Sequence, residues 1–129
     1  MKLLLDSHIF LAILDAGSVE LTDAAWAAIT TAEPHVYVSA ASLWEIAIKV
    51  RSGRLDFDLA LEDLPMACLG LGMKLLTIKP RHAVCALDIE PPTNDPFDRL
   101  LLAQAQVEDM RPMTVDRSLV GHPLAWTAP

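Results

Sequence analysis

The sequence lacks the features that define several large classes of protein. No apolar run reaches the roughly 18 residues typical of a membrane-spanning helix, so we expect no membrane segment. The opening residues meet an acid at Asp6, too early for the apolar core of a signal peptide. The glycine-rich motifs GxGxxG and GxxxxGK[ST] are also missing. A nucleotide cofactor is therefore not indicated.

Cysteine and histidine are few, and their spacing is wrong for the common zinc and thiol sites. Cys68 and Cys85 have no CxxC spacing, which favours a reduced, cytoplasmic protein with two core thiols. The four histidines do not fall at a spacing such as HExxH. We interpret them as structural, with only His8 near the acids considered below. Nucleophilic thiol chemistry is not expected either.

Positive charge is also scarce, because the chain has only 10 Lys and Arg residues but 17 Asp and Glu residues, which gives a net charge of −7. This balance argues against nonspecific binding of nucleic acid through a broad basic face. It does not exclude an enzyme that acts on nucleic acid, since acids that bind a metal are neutralised in the working state. The apolar fraction of 53% indicates layers covered on both faces, a partner surface, or both.

Short apolar runs alternate with helical patterns along the chain. The predicted strands cover residues 2–5, 36–38, 75–78 and 113–115, and a last edge strand is considered near Leu124. One helix should end at Pro34, another should start after Ser39, and residues 58–72 should form a helix broken at Pro65. Pro112 should stop the helix before it. This order predicts a single domain over residues 1–129, an α/β/α sandwich of three layers with a central parallel sheet.

Residues 94–105 form the most informative helix start. Pro96 suits the first helical position, which makes Asp95 the N-cap and places Asp98 at the third position. The residues of the predicted buried stripe are Leu100, Ala103, Val107 and Met110, widened by Leu101 and Ala105. The acidic start of this helix should therefore lie at the edge of a core.

Acids recur at the predicted strand ends. Asp6 and Asp116 each follow a strand, Asp95 and Asp98 begin a helix, and Glu45 lies in the helix after the second strand. Because parallel strands present their carboxyl ends at one edge of a sheet, we expect these carboxylates to converge. Their repulsion would be costly without a cation. Hard oxygen ligands favour Mg²⁺ or Mn²⁺ over zinc.

Each acid also has an ordinary structural role open to it. Asp6 could cap its helix, Asp95 could act only as a cap, and Asp116 could form an Asx turn. Glu45 could pair with Lys49, four residues later. Ser7 could hydrogen-bond a site carboxylate or a metal-bound water, or merely cap. The recurrence of acids near one edge is what favours a shared site.

Four segments carry a recognisable pattern: LLLDSHIFLAIL, VSAASLWEIAIKVRSGRL, NDPFDRLLLAQA and TVDRSL. In this order and spacing they resemble the PIN-domain family, and within it the VapC-type toxins of toxin–antitoxin pairs. The resemblance implies a PIN-like α/β/α fold with acids that bind Mg²⁺ or Mn²⁺. Matched position by position, these acids are Asp6, Glu45, Asp98 and Asp116, with Asp95 as an additional one. Relatives often carry a histidine where this chain has residues 92–94, Pro-Thr-Asn.

The resemblance further implies a metal-dependent endoribonuclease that hydrolyses RNA with an activated water. Asp6, Asp98 and Asp116 would hold the metal, and Glu45 would hold a second ion or orient the water. The cations that could guide the RNA backbone are Lys49, Arg51, Arg54, Arg99 and Arg117, although each alone could be a solvated surface charge. The implied partners are RNA, a VapB-type antitoxin and a second copy of the chain. The alternative is a non-catalytic PIN-like module that binds RNA or protein.

Overall fold

The computed structural model describes residues 1–17, 19–33 and 35–129, and its centre is a parallel sheet. The four strands are β1 (Leu3–Leu5), β2 (Val36–Ser39), β3 (Lys74–Leu76) and β4 (Arg111–Met113). Their order across the sheet is β3-β2-β1-β4, and every neighbouring pair is parallel. In the register of the central strand, Leu4 lies opposite Tyr37 on one side and Pro112 on the other.

Helices connect the strands. They are α1 (Ser7–Ile13), α2 (Asp23–Ala32), α3 (Ala40–Arg51), α4 (Leu64–Gly70), α5 (Pro80–Ala83) and α6 (Pro96–Glu108). The two short helices expected around Pro65 are present as a 3₁₀ turn over Leu61–Asp63 and α4, but Pro65 lies in the first turn of α4 and residues 58–60 are not helical. Pro34, the predicted end of α2, lies outside the described residues. None of the helices in the described part of the chain is long and apolar enough to cross a membrane.

Apolar residues cover both faces of the sheet. Leu3 and Leu5 of β1 pack in one core cluster with Phe10 of α1 and Ile46 of α3. Leu4 points to the other face and packs in a second cluster with Leu102 of α6. Successive side chains of a strand alternate between faces, so one apolar strand serves both layers. The expected α/β/α sandwich is confirmed.

The fourth strand begins and ends two residues before the predicted one. Pro112 does not stop α6, which already ends at Glu108 and is followed by Asp109 in the left-handed conformation, φ 55°. Instead Pro112 lies within the edge strand β4, where a residue without an N–H is tolerated. Asp116 therefore follows the strand by three residues rather than directly.

Three other predicted boundaries are wrong. β3 begins one residue before the predicted strand and ends two residues before it, at Leu76. The short helix that begins at Pro80 ends at Ala83 rather than continuing through Leu87. Leu124 lies in a turn and not in an edge strand. A single backbone hydrogen bond, from Trp126 N to Pro112 O at 2.8 Å, joins the tail to β4. One bond of this kind attaches the tail without extending the sheet.

The two thiols differ in environment. Cys68 of α4 is fully buried, as expected, and burial raises its pKa to about 11. Cys85 is only partly buried, so its prediction as a core thiol is wrong. It lies just after the short α5, where its Sγ accepts a hydrogen bond from Gln106 Nε2 at 3.3 Å.

Four of the six residues of the predicted stripe are buried, namely Leu101, Ala103, Ala105 and Met110, but helix α6 is also buried around most of one full turn. The buried residues are Leu101, Leu102, Ala103, Gln104 and Ala105, whereas Leu100 and Val107 are only partly buried. The helix contacts α3 and α5 as well as β4, so several of its sides are covered. A hydrophobic stripe calculated for a single face cannot capture this packing.

Gln104 is the polar residue inside this helix. Its Oε1 accepts a hydrogen bond from the Ser39 hydroxyl at 2.6 Å, and its Nε2 donates to Thr77 O at 3.3 Å. Ser39 ends β2, and Thr77 directly follows β3. The amide of Gln104 therefore ties α6 to the carboxyl ends of two strands.

We expect Gln104→Leu to lower the free energy of unfolding by about 1–3 kcal/mol, because it leaves the buried O–H donor of Ser39 without an acceptor and removes the hydrogen bond to Thr77 O. Urea denaturation measures the loss. Gln106→Leu is the matched control, because Gln106 lies on the same helix and makes its hydrogen bonds to Asp88 and Ala86 where water can replace them. Equal losses for the two variants would contradict the role assigned to Gln104.

Candidate functional site

Asp6 directly follows β1 and is fixed at three atoms. Its backbone N donates to Met113 O at 3.1 Å, which extends the pairing of β1 with β4 by one residue. Its Oδ1 accepts from Ile9 N at 2.9 Å, so Asp6 does cap α1. Its Oδ2 accepts from the Thr114 hydroxyl at 2.5 Å. The carboxylate is only 7% exposed and faces the segment that follows β4.

Thr114 joins Asp6 to Asp116. While its hydroxyl donates to Asp6, the same oxygen accepts from Asp116 N at 3.0 Å. Asp116 Oδ1 in turn accepts from the backbone N of Ser118 at 2.8 Å and from its hydroxyl at 2.6 Å, so the Asx turn is present too. These hydrogen bonds from Ser118, and after them the charges of His8 and Lys49, lower the pKa of Asp116. Asp116 is therefore ionised near neutral pH.

Glu45 lies partly buried in α3 and reaches toward α1. Its Oε1 accepts from the Ser7 hydroxyl at 2.5 Å, and Ser7 is the residue after Asp6. Its Oε2 lies 3.8 Å from Lys49 Nζ, so the ordinary i, i+4 pair also exists. Glu45 thus pairs with a lysine on its own helix while a hydroxyl of α1 holds it beside the end of β1.

Asp95 and Asp98 occupy the predicted positions at the start of α6. Asp95 Oδ1 accepts from Phe97 N at 2.8 Å and from Asp98 N at 3.3 Å, which confirms the N-cap. Asp98 Oδ2 accepts from the Thr93 hydroxyl at 3.3 Å. Thr93 belongs to the Pro-Thr-Asn segment, residues 92–94, that precedes α6. A threonine hydroxyl here contacts a site acid.

The pKa of Asp98 shows how close the acids lie to one another. Burial raises it most, followed by the negative charges of Asp95 and Asp116, and more weakly by that of Glu45. The Thr93 hydroxyl opposes the rise, and the resulting pKa is about 6. Acids from α3, from α6 and from the segment after β4 therefore act on one carboxyl group.

His8 lies next to this cluster of acids. Its Nδ1 is 3.9 Å from Asp6 Oδ2, and this contact with the Asp6 carboxylate raises the imidazole pKa most, while burial opposes the rise. The charge of Asp6 and, more weakly, that of Glu45 raise it further, whereas Lys49 lowers it. His8 and Lys49 thus supply partial compensation for the acids of the cluster.

The donor set suits a hard divalent cation, although its members are not preassembled. Carboxylate oxygens are the ligands that Mg²⁺ and Mn²⁺ prefer. Within residues 1–17, 19–33 and 35–129, Asp98 Oδ1 and Asp116 Oδ2 receive no hydrogen bond from the protein. In the same ranges, no three His, Cys, Asp or Glu side chains form a group that could hold a metal ion as they stand. The raised pKa of Asp98 reflects burial first and the negative charges of neighbouring acids second, and a cation would offset those charges.

The five predicted RNA-contacting cations differ in their surroundings. Lys49 pairs with Glu45, as described above. Arg99 donates to Glu90 Oε2 at 2.6 Å and to Thr93 O at 3.2 Å, which anchors it beside the start of α6. Arg51 and Arg54 are exposed at the end of α3, and Arg117 is exposed directly after Asp116. Lys49 is therefore close to the acids through its contact with Glu45. Arg99 and Arg117 are close to them because each directly follows one of the acids in the sequence.

Sequence reasoning named the five acids and Ser7 but missed Thr93 and Thr114 as their partners. Thr114 is 108 positions from Asp6, and only the pairing of β1 with β4 brings them together. A hydroxyl two residues before an acid carries no distinctive pattern. The only available signal was its location just after a predicted strand.

We expect Asp98 to titrate near pH 6 in the metal-free protein, with the side-chain carbon followed by NMR. Asp95→Asn keeps a good N-cap residue and removes one negative charge, so it should lower the pKa of Asp98. Thr93→Val removes the hydroxyl that favours the charged form, so it should raise that pKa. An Asp98 pKa that does not respond to either substitution would contradict the coupling described here.

Comparison with known proteins agrees with this architecture. A chain of a "Toxin-antitoxin complex from Klebsiella pneumoniae" superposes with a TM-score of 0.66 at 18% identity, covering 98% of this chain and 97% of that one. At that identity the likeness shows the fold alone. No curated protein sequence matches the chain. The model of the PIN domain family matches residues 3–120, and the chain therefore belongs to the PIN-domain family.

Proposed function

We propose that this protein is a metal-dependent endoribonuclease and the toxin of a toxin–antitoxin pair. PIN domains are generally nucleases that use divalent metal ions, which supports hydrolase activity. The observation that carries the proposal is that Thr114 links Asp6 to Asp116 and Ser7 holds Glu45 beside Asp6, all at the carboxyl edge of the sheet. The raised pKa of Asp98 agrees with it, because after burial its causes are the charges of Asp95, Asp116 and Glu45. Such an arrangement is unfavourable for a purely structural site and useful for one that binds a cation.

In the proposed mechanism, Asp6, Asp98 and Asp116 hold Mg²⁺ or Mn²⁺, with Asp95 as an additional acid. When bound, the ion supplies an activated water and offsets the charge that develops on the phosphate. Glu45 would orient the attacking water and take its proton. The water oxygen would bond to phosphorus while the bond to the 3′ oxygen breaks, and solvent water would supply the proton that this oxygen takes up. The products are a 5′-phosphate and a 3′-hydroxyl.

The remaining assignments concern partners. We propose that the RNA backbone is guided by Lys49, Arg51, Arg54, Arg99 and Arg117. A VapB-type antitoxin and a second copy of the chain are the proposed protein partners, and the cytoplasm is the proposed compartment. The fold match to a chain of a toxin–antitoxin complex supports the antitoxin. Exposed apolar side chains such as Met66 and Val84, 70% and 83% exposed, leave surface for such contacts.

One observation favours a second candidate, a non-catalytic PIN-like module that binds RNA or protein. The acids in the described ranges do not form a ready-made group of three metal ligands. In this alternative their oxygens serve only the caps, turns and hydroxyl contacts already described. Cleavage assays with acid-to-amide variants distinguish the two candidates.

We expect Asp6→Asn and Asp98→Asn each to reduce Mn²⁺-dependent RNA cleavage by at least about 100-fold, which is the upper end of what changes around metal ligands cost. Cleavage of a labelled RNA, with mapping of the 5′-phosphate ends, measures the effect. Asp23→Asn is the control, because Asp23 is an acid in the first turn of α2, outside the cluster. Cleavage that survives both site substitutions would remove the nuclease assignment.

Thr114 should act as a positioning residue for Asp6. We expect Thr114→Val to weaken Mn²⁺ binding about 10-fold, since it removes the hydroxyl that fixes Asp6 Oδ2, whereas Thr114→Ser should restore most of the affinity. Isothermal titration calorimetry measures the affinity directly and needs no RNA. An unchanged affinity in Thr114→Val, in a protein with unchanged thermal stability, would refute this role.

A further inference from the structure

Two aromatic rings lie beside the acids and have no part in the mechanism above. Trp44 precedes Glu45 on α3, and Phe97 precedes Asp98 at the start of α6. Their ring centroids are 5.5 Å apart at an interplanar angle of 71°, an edge-to-face contact. The two helices that supply Glu45 and Asp98 therefore also bring an aromatic pair together.

Trp44 is not part of the core. It is 60% exposed, whereas the buried residues of α3 are Ala41, Ser42 and Ile46. The contact with Phe97 therefore leaves most of the Trp44 side chain accessible to a ligand. Phe97 itself is partly buried, and Asp95 accepts a hydrogen bond from its backbone N–H. The contact thus holds an exposed ring against a fixed neighbour.

We propose that Trp44 is the platform on which one unpaired base of the RNA stacks beside the cleaved phosphodiester. This inference rests on the proposed function and specifies its substrate as single-stranded RNA. In a duplex each base is already stacked, whereas an unpaired base can be splayed onto an aromatic side chain. Stacking also tolerates any base, because every base has a flat π-face.

Charge explains why such a platform is useful here. The protein carries a net charge of −7, and the nearby cations Lys49 and Arg99 are already paired with Glu45 and Glu90. Phosphate contacts alone therefore supply limited attraction for RNA. Stacking provides binding that does not depend on charge. Because Phe97 restricts the indole, less freedom is lost when a base binds.

The test measures binding without cleavage. In the Glu45→Gln protein with Mg²⁺ present, a fluorescent single-stranded RNA is titrated against variants of Trp44, because this change removes the proposed base and keeps the three acids proposed to hold the metal. We expect Trp44→Leu to weaken binding about tenfold and Trp44→Phe to retain most of it. Trp26→Leu is the matched control, since Trp26 is 43% exposed on α2 and lies outside the cluster; it should bind RNA as the parent does.

A second titration uses an oligomer of the same length whose sugars carry no bases. If Trp44 stacks on a base, Trp44→Leu will not change the affinity for this abasic strand. Equal weakening on both strands, or no weakening on either, would overturn the inference. Unchanged RNA binding together with a lower association state in sedimentation would also overturn it, and would assign Trp44 to an interface between copies of the chain.

The outcome is separable from that of the nuclease proposal. Binding that depends on Trp44 and on the bases, in a protein that cleaves no RNA with Mn²⁺, supports the platform and refutes the nuclease. If the unsubstituted protein cleaves RNA but substitution of Trp44 does not change the affinity for RNA, only the proposal of a stacking platform is refuted. Thermal unfolding of Trp44→Leu verifies the fold, and its midpoint should match that of the unsubstituted protein because the indole is largely exposed.

Discussion

The parallel pairing of β1 with both of its neighbours is the constraint on which the acidic cluster depends. Because all four strands run in one direction, the residues that follow them emerge at one edge of the sheet. Asp6 N extends the β1–β4 pairing to Met113 O, which brings the segment with Thr114 and Asp116 against the end of β1. The negative charges are held together by backbone geometry, against their own repulsion.

Much of this arrangement follows from local chemistry and was predictable. An apolar strand that ends in an acid, a proline preceded by Asp95, and a serine before α3 each define a boundary within a few residues. The end of α6 and the start of β4 were not predictable, because Pro112 is compatible with a helix stop and with an edge strand. The burial of Gln104 was missed for a related reason, since it reflects contacts of α6 with other elements.

The five acids could be predicted from the sequence, whereas their hydrogen-bond partners and pKa shifts could not. Whether an acid is compensated depends on partners that are distant in the chain, such as Thr114 for Asp6 and Ser7 for Glu45. Asp116 has two hydrogen bonds from Ser118 and a lowered pKa, whereas Asp98 has one long bond from Thr93 and a raised pKa. The unequal distribution of hydrogen-bond donors leaves Asp98 as the acid that carries the repulsion.

The structural roles of these acids do not compete with a role in catalysis. A cap or an Asx turn fixes one carboxylate oxygen with a neutral N–H or O–H donor, as happens at Oδ1 of Asp95 and at Oδ1 of Asp116. A neutral donor of this kind does not cancel the charge of the carboxylate. Such bonds orient carboxylates without neutralising them. A phosphodiester would then be repelled from this edge unless a cation intervened. If the proposed function holds, the negative charge at this edge both attracts the cation and makes RNA binding there depend on it, whereas a metal-free module would have to bind RNA elsewhere on its surface.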